Sequence, residues 1–454
     1  MKHETARQTN LPMATLTHQE SATAEYLEVS PSTRKRFIMI MVAGVVLLAI
    51  GLILAALGIG AEHHEGAAAA HGATSHGAGA AEGHHGSPAW LKRFIVSLWH
   101  NNVFFTGVAA VGTVFVAIQY VAYAGWSVLI KRVAEALSAW LIPGLVLMIV
   151  IFGISLINHD IFHWTMPGIM DEGNPNYDAI IAGKQGFLNL PFYIARMVIF
   201  IGLWAYFTKR LRDLSLAEDL NGGTQYFHKS ISVSALFLVI FAVSSPIAAW
   251  DWVMSVDTHW FSTMFGWYVF ASWWVSGIAA VTLCTILLKQ AGYLSFVREG
   301  HLHDLGKFMF GFSIFWTYVW FSQFMLIWYA NLPEESVYFN QRLGGFNGQY
   351  TWLFFFNLFI NFVFPFLVLM TRDAKRQMIM LKIVSIAILI GHWSDFYLML
   401  MPGTMKAENG FIIEIGTALI FLGAFLTLMT KRLASASLVP VHHPFLDESV
   451  HHTT

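Results

Sequence analysis

The sequence predicts an all-α integral membrane protein with about ten transmembrane helices. Of its 454 residues, 56% are hydrophobic and only 12% are charged, whereas a soluble domain carries about 25% charged residues. The apolar residues fall into runs of about 20, the length that a helix needs to cross a bilayer and about twice that of a barrel strand. Helices satisfy every backbone group within the segment, so they are the fold class that fits lipid.

Ten apolar runs meet this length. The predicted spans are residues 37–60, 103–129, 133–157, 191–208, 231–252, 261–287, 308–330, 350–371, 377–401 and 411–430. They divide the chain into a polar tail (1–36), a first helix (37–60), a loop region (61–102), a transmembrane core (103–430) and a second tail (431–454), which we expect to be poorly ordered.

The loop region has two parts. Residues 61–88 contain six histidines among many glycines and alanines. This composition favours a flexible linker, and the alternative is a loose metal-binding or pH-sensing tract. Residues 89–102 (AWLKRFIVSLWHNN) predict a short interfacial helix that leads into the second span.

Lysine and arginine predict the orientation. If the N-terminus is cytoplasmic, 20 of the 26 basic residues lie on the cytoplasmic side and six on the other. Basic residues are enriched in cytoplasmic loops. We therefore expect a multi-pass membrane protein with both termini in the cytoplasm.

The chain offers few ligands for a redox cofactor of its own. Its single cysteine, Cys284, excludes a cysteine-ligated iron–sulfur cluster. A membrane-embedded b-type heme needs paired histidines, and only His392 lies inside a predicted span. No metal site is expected. The net charge of −1 argues against a nucleic-acid partner.

Ionisable residues inside spans are costly and often functional. The predicted helix directions place several of them in the outer third of the membrane. We interpret Asp251, His392 and Asp395 as a proton-transfer group, since histidine and carboxylates accept protons readily. The alternative is structural pairing, with Arg196 as a partner of Asp251. Arg196, His159, Asp160 and His163 are candidates for a small-molecule pocket or proton path, and the alternative for the two histidines is contact with water at the interface. Glu414 also lies in this outer layer, but the first turn of a helix favours a carboxylate for structural reasons.

The seventh span is crowded with aromatic residues. Tyr318 and Ser322 are four residues apart, so they share one face of this helix. The pair predicts a polar stripe that conducts protons or lines a pocket. The alternative is hydrogen bonding between helices.

Two long motifs carry a family resemblance. The stretch DWVMSVDTHWFSTMFGWY (251–268) lies at the fifth and sixth spans, and HDLGKF with FWTYVWFSQF and IWYANLPEE (303–335) covers the seventh span and its loop. Over roughly residues 100–430, the chain resembles the polysulfide-reductase/NrfD-like membrane subunits of bacterial alternative complex III. Within that family it is most similar to the second quinone-binding subunit of the quinol:cytochrome c oxidoreductase.

The resemblance implies a fold, a reaction and partners. The fold would contain two four-helix bundles, spans 2–5 and 6–9, plus peripheral helices. Menaquinol or ubiquinol would be oxidised near the outer face, with Asp251, His392, Asp395, Arg196 and Tyr318 among the candidate residues. Electrons would leave through an iron–sulfur subunit and c-type heme subunits to cytochrome c or a terminal oxidase. A paralogous ten-helix subunit would complete the complex, and this chain's own quinone site could be vestigial.

Two other functions fit the same residues. A secondary transporter or proton channel also has about ten spans and buried carboxylates, although the sequence shows no centrally broken helix of the kind that transporters use. A structural membrane anchor would have the polar residues merely paired with one another.

Overall fold

Within the residues that the structure describes, the protein is an all-α bundle with ten helices long and apolar enough to cross a membrane, as the fold class predicts. The structure, a computed structural model, describes residues 24–57, 87–406 and 411–453. The histidine-rich stretch 61–86 and residues 1–23 lie outside the described residues. The helices are α1 (Pro31–Ala56), α2 (Ala89–Val121), α3 (Gly125–Asn158), α4 (Leu190–Asn221), α5 (Gln225–Trp252), α6 (Phe265–Gln290), α7 (Glu299–Ala330), α8 (Thr351–Val368), α9 (Met378–Met405) and α10 (Ile412–Leu433).

Two four-helix bundles form the core. In the first, α2 packs on α3 and α5, and α4 closes the ring between them. In the second, α6 packs on α7 and α9, and α8 lies between those two. Contacts of α2 with α6 and α9, and of α5 with α6, join the bundles. The arrangement of spans 2–5 and 6–9 is therefore confirmed.

The first and last spans form a separate pair beside the first bundle. A Cβ atom added at Gly44 would lie 2.7 Å from the carbonyl oxygen of Gly416, and one added at Gly416 would lie 2.6 Å from the backbone nitrogen of Leu48. Small residues allow this close backbone approach, which is how helices pack in lipid without a hydrophobic driving force. The pair α1–α10 corresponds to the predicted peripheral helices.

The second helix lies at the centre of the molecule, and its beginning corrects one prediction. It runs without interruption from Ala89 to Val121, so the separate interfacial helix predicted for 89–102 is wrong. The polar residues that marked a boundary are buried and bonded to other helices. For example, the amide of Asn102 donates to the carbonyl of Gly144 at 2.8 Å. Tertiary partners satisfy these groups, so they do not end the helix.

Both described chain ends meet at one end of the bundle. The backbone nitrogen of Leu438 donates to the carbonyl of Glu25 at 2.7 Å. This end, here called the basic end, also carries Lys131 and Arg132 at the start of α3 and the C-terminal segment 434–453. The segment is packed rather than poorly ordered as expected: Leu438 is fully buried, and the Ser449 hydroxyl donates to the carbonyl of Trp126 at 2.8 Å.

The eighth span is interrupted near its middle. Residues Phe359–Val363 form a π-helical turn between two α-helical parts. Pro365 lies two residues after this turn and has no backbone N–H to donate to Asn361 four residues earlier, so the regular ladder of hydrogen bonds cannot continue there. The span stays helical on both sides of the turn, so it is locally deformed rather than broken.

Candidate functional site

The predicted outer cluster is divided between the two bundles. In the first bundle, Asp251 in the last turn of α5 receives two hydrogen bonds of 2.7 Å from the guanidinium of Arg196 on α4. Both side chains are buried. Arg196 also donates to the carbonyl of Phe187 at 3.0 Å and lies between the rings of Phe187 and Phe192. The alternative of structural pairing is thus what the geometry shows for these two residues.

The second bundle holds a carboxylate of a different kind. Asp395, on α9, accepts a hydrogen bond from the Tyr268 hydroxyl. Its other oxygen accepts bonds from the Ser272 hydroxyl at 2.9 Å and the indole nitrogen of Trp316 at 3.2 Å. Trp316 also donates to Ser272 at 2.9 Å. All the direct donors are neutral, and they come from α6 and α7.

The other buried carboxylates in the described helices each form an ion pair with lysine or arginine, whereas Asp395 does not. Its nearest basic group is His392, whose Nδ1 lies 3.8 Å from Oδ2 of Asp395, beyond hydrogen-bonding distance. The paired residues are Glu135, Glu218, Asp251, Asp304 and Glu414.

His392 is fully buried near the middle of the 28-residue helix α9. Neither ring nitrogen has a hydrogen-bond partner within the described residues. The ring lies edge-on to Trp316 with centroids 5.3 Å apart. Because α9 extends to Met405, His392 lies deeper in the bundle than the outer third in which the sequence placed it.

Aromatic residues separate the two predicted acid groups. The ring of Trp252, next to Asp251, is 6.2 Å from that of Trp273. Trp273 stacks on Phe396, next to Asp395, at 5.8 Å. The predicted proton-transfer group therefore does not form one pocket: Asp251 belongs to an ion pair in the first bundle, and His392 with Asp395 belongs to the second.

The group His159, Asp160 and His163 lies in a loop. The helix α3 ends at Asn158, and His159 adopts the left-handed conformation with φ 56°. Therefore His159 and His163 do not share a helix face. Asp160 is buried and accepts a hydrogen bond from Ser87 at 2.7 Å, while His159 bonds to Thr165 at 2.9 Å.

The exposed ring of His163 lies 6.3 Å from that of His259. His259 in turn bonds to Asp178 at 2.6 Å. Burial raises the pKa of Asp178, but the hydrogen bonds from His259 and the backbone amide of Ile181 lower it more, so the net pKa lies below its usual value. No group of three metal-ligating side chains is present among the described residues.

Three further predicted residues lie apart from the acid groups. The side chain of Tyr318 is 67% exposed on the outside of α7, and the Ser322 hydroxyl donates to the carbonyl of Val319 in its own helix. The polar stripe is therefore not an internal path. Glu414 is buried at the start of α10 and pairs with Arg93 at 2.6 Å.

Sequence reasoning missed a buried charge cluster at the basic end. Arg132 donates to Glu135 at 2.9 Å and also bonds Asp219. Lys131 donates to Tyr120 and lies 3.9 Å from Glu135. The ionisable side chains are therefore not confined to the opposite end. Lys131 and Arg132 lie between the predicted spans 103–129 and 133–157, so the sequence counted them only as loop charges.

A second histidine within a span was also missed. His100 is fully buried on α2, and its Nε2 lies 2.9 Å from the carbonyl oxygen of Trp393. The statement that only His392 lies inside a span is therefore wrong, because α2 begins at Ala89 rather than at 103. The sequence contained a signal for this longer helix, since AWLKRFIVSLW continues the apolar pattern of the second span.

No protein-family model matches the chain, and no curated protein is significantly similar to it. The chemistry of the site therefore rests on its geometry. A buried carboxylate held by neutral donors, with an unpartnered imidazole beside it, can accept and pass on a proton. In Asp251, by contrast, both carboxylate oxygens are already occupied by hydrogen bonds from Arg196, so the geometry gives this residue a structural role.

Proposed function

We propose that the protein is the membrane subunit of a bacterial quinol:electron-acceptor oxidoreductase. In this proposal, His392 and Asp395 accept the protons released when a quinol is oxidised. The observation that carries the proposal is the Asp395 site, a carboxylate buried among neutral donors with the histidine 3.8 Å away. The family resemblance of the two sequence motifs supports the choice of a quinol as substrate.

In the proposed reaction, the protons and the electrons of the quinol go to different acceptors. Oxidation of one quinol to the quinone releases two protons and two electrons. His392 and Asp395 take up protons, and Tyr268 and Ser272 hold the carboxylate of Asp395 in place. The electrons pass to an iron–sulfur subunit and then to c-type hemes of partner subunits. We propose no redox cofactor in this chain.

The proposed orientation in the membrane follows from the positions of the basic side chains. We propose that the basic end faces the cytoplasm, because Lys131, Arg132 and the other loop cations lie there. Both chain ends would then be cytoplasmic, in a bacterial inner membrane. The partners would be the iron–sulfur and heme subunits, a paralogous ten-helix subunit and a terminal oxidase. Arg196 and Asp251 would stabilise the face opposite the basic end.

The test is quinol oxidation by the intact membrane complex. Asp395→Asn and His392→Gln are expected to slow quinol-dependent heme reduction by about 100-fold, the usual contribution of a general base. The matched control is His100→Gln, since this histidine is equally buried and glutamine can still donate to the carbonyl of Trp393. Assembly is checked by the heme content of each purified complex.

Two results would overturn the proposal. A complex purified through this chain that contains no c-type heme would exclude the redox assignment. An Asp395→Asn complex that assembles fully and oxidises quinol at the normal rate would leave this subunit a structural anchor.

A proton channel or secondary transporter is the second candidate, and one observation favours it. The π-helical turn at Phe359–Val363 deforms α8 inside the bundle, and such turns are frequent at functional sites. Proton flux through liposomes that contain the purified chain alone, driven only by a pH gradient and abolished by Asp395→Asn, would support this candidate over the first.

A further inference from the structure

The interrupted helix α8 presents two carboxamides to α9. Asn357 and Asn361 are four residues apart and both are buried. The Ser394 hydroxyl donates to Oδ1 of Asn357 at 2.6 Å. Asn361 lies within the π-helical turn, and such turns are frequent at functional sites.

Asn361 lies directly against the backbone of α9 beside His392. A Cβ atom added at Gly391 would be 2.1 Å from Oδ1 of Asn361. Glycine at this position therefore permits the close approach, since any larger residue would displace the carboxamide. The amide group is thus held next to the residue that precedes His392.

Several polar atoms here have no hydrogen-bond partner within the described residues. They are both side-chain atoms of Asn361, Nδ2 of Asn357 and both ring nitrogens of His392. A buried polar atom without a partner costs about 1–3 kcal/mol. Such atoms, concentrated on facing helices, indicate a site that binds a polar group. Its donors are two amides and an imidazole, which suit a carbonyl or hydroxyl oxygen.

The aromatic side chains around these polar atoms indicate the shape and polarity of the rest of the ligand. Trp316 stacks on Trp320 at 6.0 Å, and Trp320 lies 5.1 Å from the ring of Phe354 on α8. On the outer face of α8, Phe355 and Phe359 are 57% and 55% exposed, as lipid-facing residues would be. Flat aromatic walls and an apolar outer face suit a planar ring that reaches the site from the lipid.

The site has no basic side chain for an anionic ligand. Asp395 is held by neutral donors, and none of the ion pairs among the described residues brings a lysine or arginine to His392 or Asp395. An anionic ligand would have no counter-ion here, so a neutral one is favoured over it.

We propose that Asn361, together with Asn357 and His392, binds an oxygen atom of a neutral, lipid-soluble aromatic ring. The inference rests on the proposed function, for which it places the quinol between α8 and α9. Asn361 is a positioning residue: it orients the ring oxygen toward His392, which takes the proton. Gly391 is required because it leaves space for the carboxamide.

The test uses the full chain in lipid nanodiscs with a short-chain ubiquinone as the probe. Quinones quench tryptophan fluorescence, and Trp316 and Trp320 line the proposed site. The saturable part of the quenching gives the dissociation constant. Asn361→Leu, of similar volume, is expected to weaken binding about tenfold through the lost hydrogen bonds. Asn102→Leu is the matched control, because Asn102 is an equally buried asparagine in the first bundle.

Gly391→Ala is the second variant, in case Asn361→Leu does not fold. It leaves every polar side chain intact but pushes the carboxamide aside, and it is expected to weaken binding to a similar extent. Thermal unfolding of each variant shows that it is folded. Saturable binding that is equally tight in wild type, Asn361→Leu and Gly391→Ala would overturn the inference.

The outcomes separate this inference from the proposed function. Wild-type nanodiscs that show no saturable quenching, alongside a complex whose quinol oxidation depends on Asp395, would overturn the binding site and leave the proposed function standing. Tight quinone binding that Asn361→Leu weakens, in a complex whose activity ignores Asp395→Asn, would support the site and contradict the proton-transfer role.

Discussion

The ion pair between Arg196 and Asp251 makes a quantitative prediction about stability. Asp251→Asn leaves the Arg196 guanidinium buried and without its charged partner. Removing one partner of a buried pair costs about 3–5 kcal/mol. Arg196 retains the carbonyl of Phe187 at 3.0 Å and its contacts with the two phenylalanine rings. We therefore expect a loss near the lower limit, about 3 kcal/mol in the free energy of unfolding.

The assay is reversible denaturant unfolding of the purified chain in mixed micelles. Asp171→Asn, at an exposed loop position, is the control and is expected to have no measurable effect. The double variant Arg196→Met with Asp251→Leu should lose less than Asp251→Asn alone, because an apolar pair replaces the buried charges without leaving one unpaired. An Asp251→Asn protein as stable as wild type, or a double variant less stable than the single one, would refute the reasoning.

Three other predictions concern packing, the C-terminal segment and a buried arginine. Gly416→Val should cost about 1–3 kcal/mol of unfolding free energy and loosen α1 from α10, because the added Cβ meets backbone 2.6 Å away. Denaturation measures the free energy, and cross-linking of the two helices measures their contact. Gly153→Val, with open space around it, is the control, and equal effects of the two substitutions would contradict the prediction. Burial, and then the charges of Lys131 and Arg132, lower the pKa of His443 from 6.5 to about 2, so packing of segment 434–453 is fully stable above pH 6.5 and weakens by about 1.4 kcal/mol for each pH unit below it. Hydrogen exchange of residues 438–446 at pH 7.5 and 5.5 should show this loss in wild type but not in His443→Phe, and the same loss in both would exclude His443 as its cause. Arg342 donates to the carbonyls of Leu398 and Met399 and to Asp257. A lysine cannot make these bonds together, so Arg342→Lys should lower the melting temperature clearly. Arg298→Lys, at an exposed position, should leave the melting temperature unchanged.

The sequence predicted the positions of the helices along the chain better than it predicted which face of each helix is buried. Ten spans follow from the length of the apolar runs, because the bilayer requires that length whatever the tertiary structure. Which face of a helix is buried depends on its neighbours. Tyr318 therefore faces outward despite its polar hydroxyl, since α7 is rotated to bring Trp316 toward Asp395.

Polar residues misled the prediction in both directions. His100 and Asn102 resembled the end of a membrane span, although other helices supply their partners. Asn357 and Asn361 were overlooked because ionisable side chains marked the candidates inside spans, and an amide carries no charge. Their importance comes from Gly391 and the π-helical turn, which are tertiary and local features that hydropathy does not record.

The central position of α2 has a consequence for how the chain is made. Two of its buried polar groups find partners late in the sequence: Arg93 pairs with Glu414, and Asn101 receives a bond from Trp393 at 2.9 Å. When the first bundle has been synthesised, those partners have not yet left the ribosome. The helix must then wait in the membrane without these two partners until the last two helices arrive. A chain cut after α8 would keep the contacts of α2 with α3, α5 and α6 yet lack the late partners of Arg93 and Asn101.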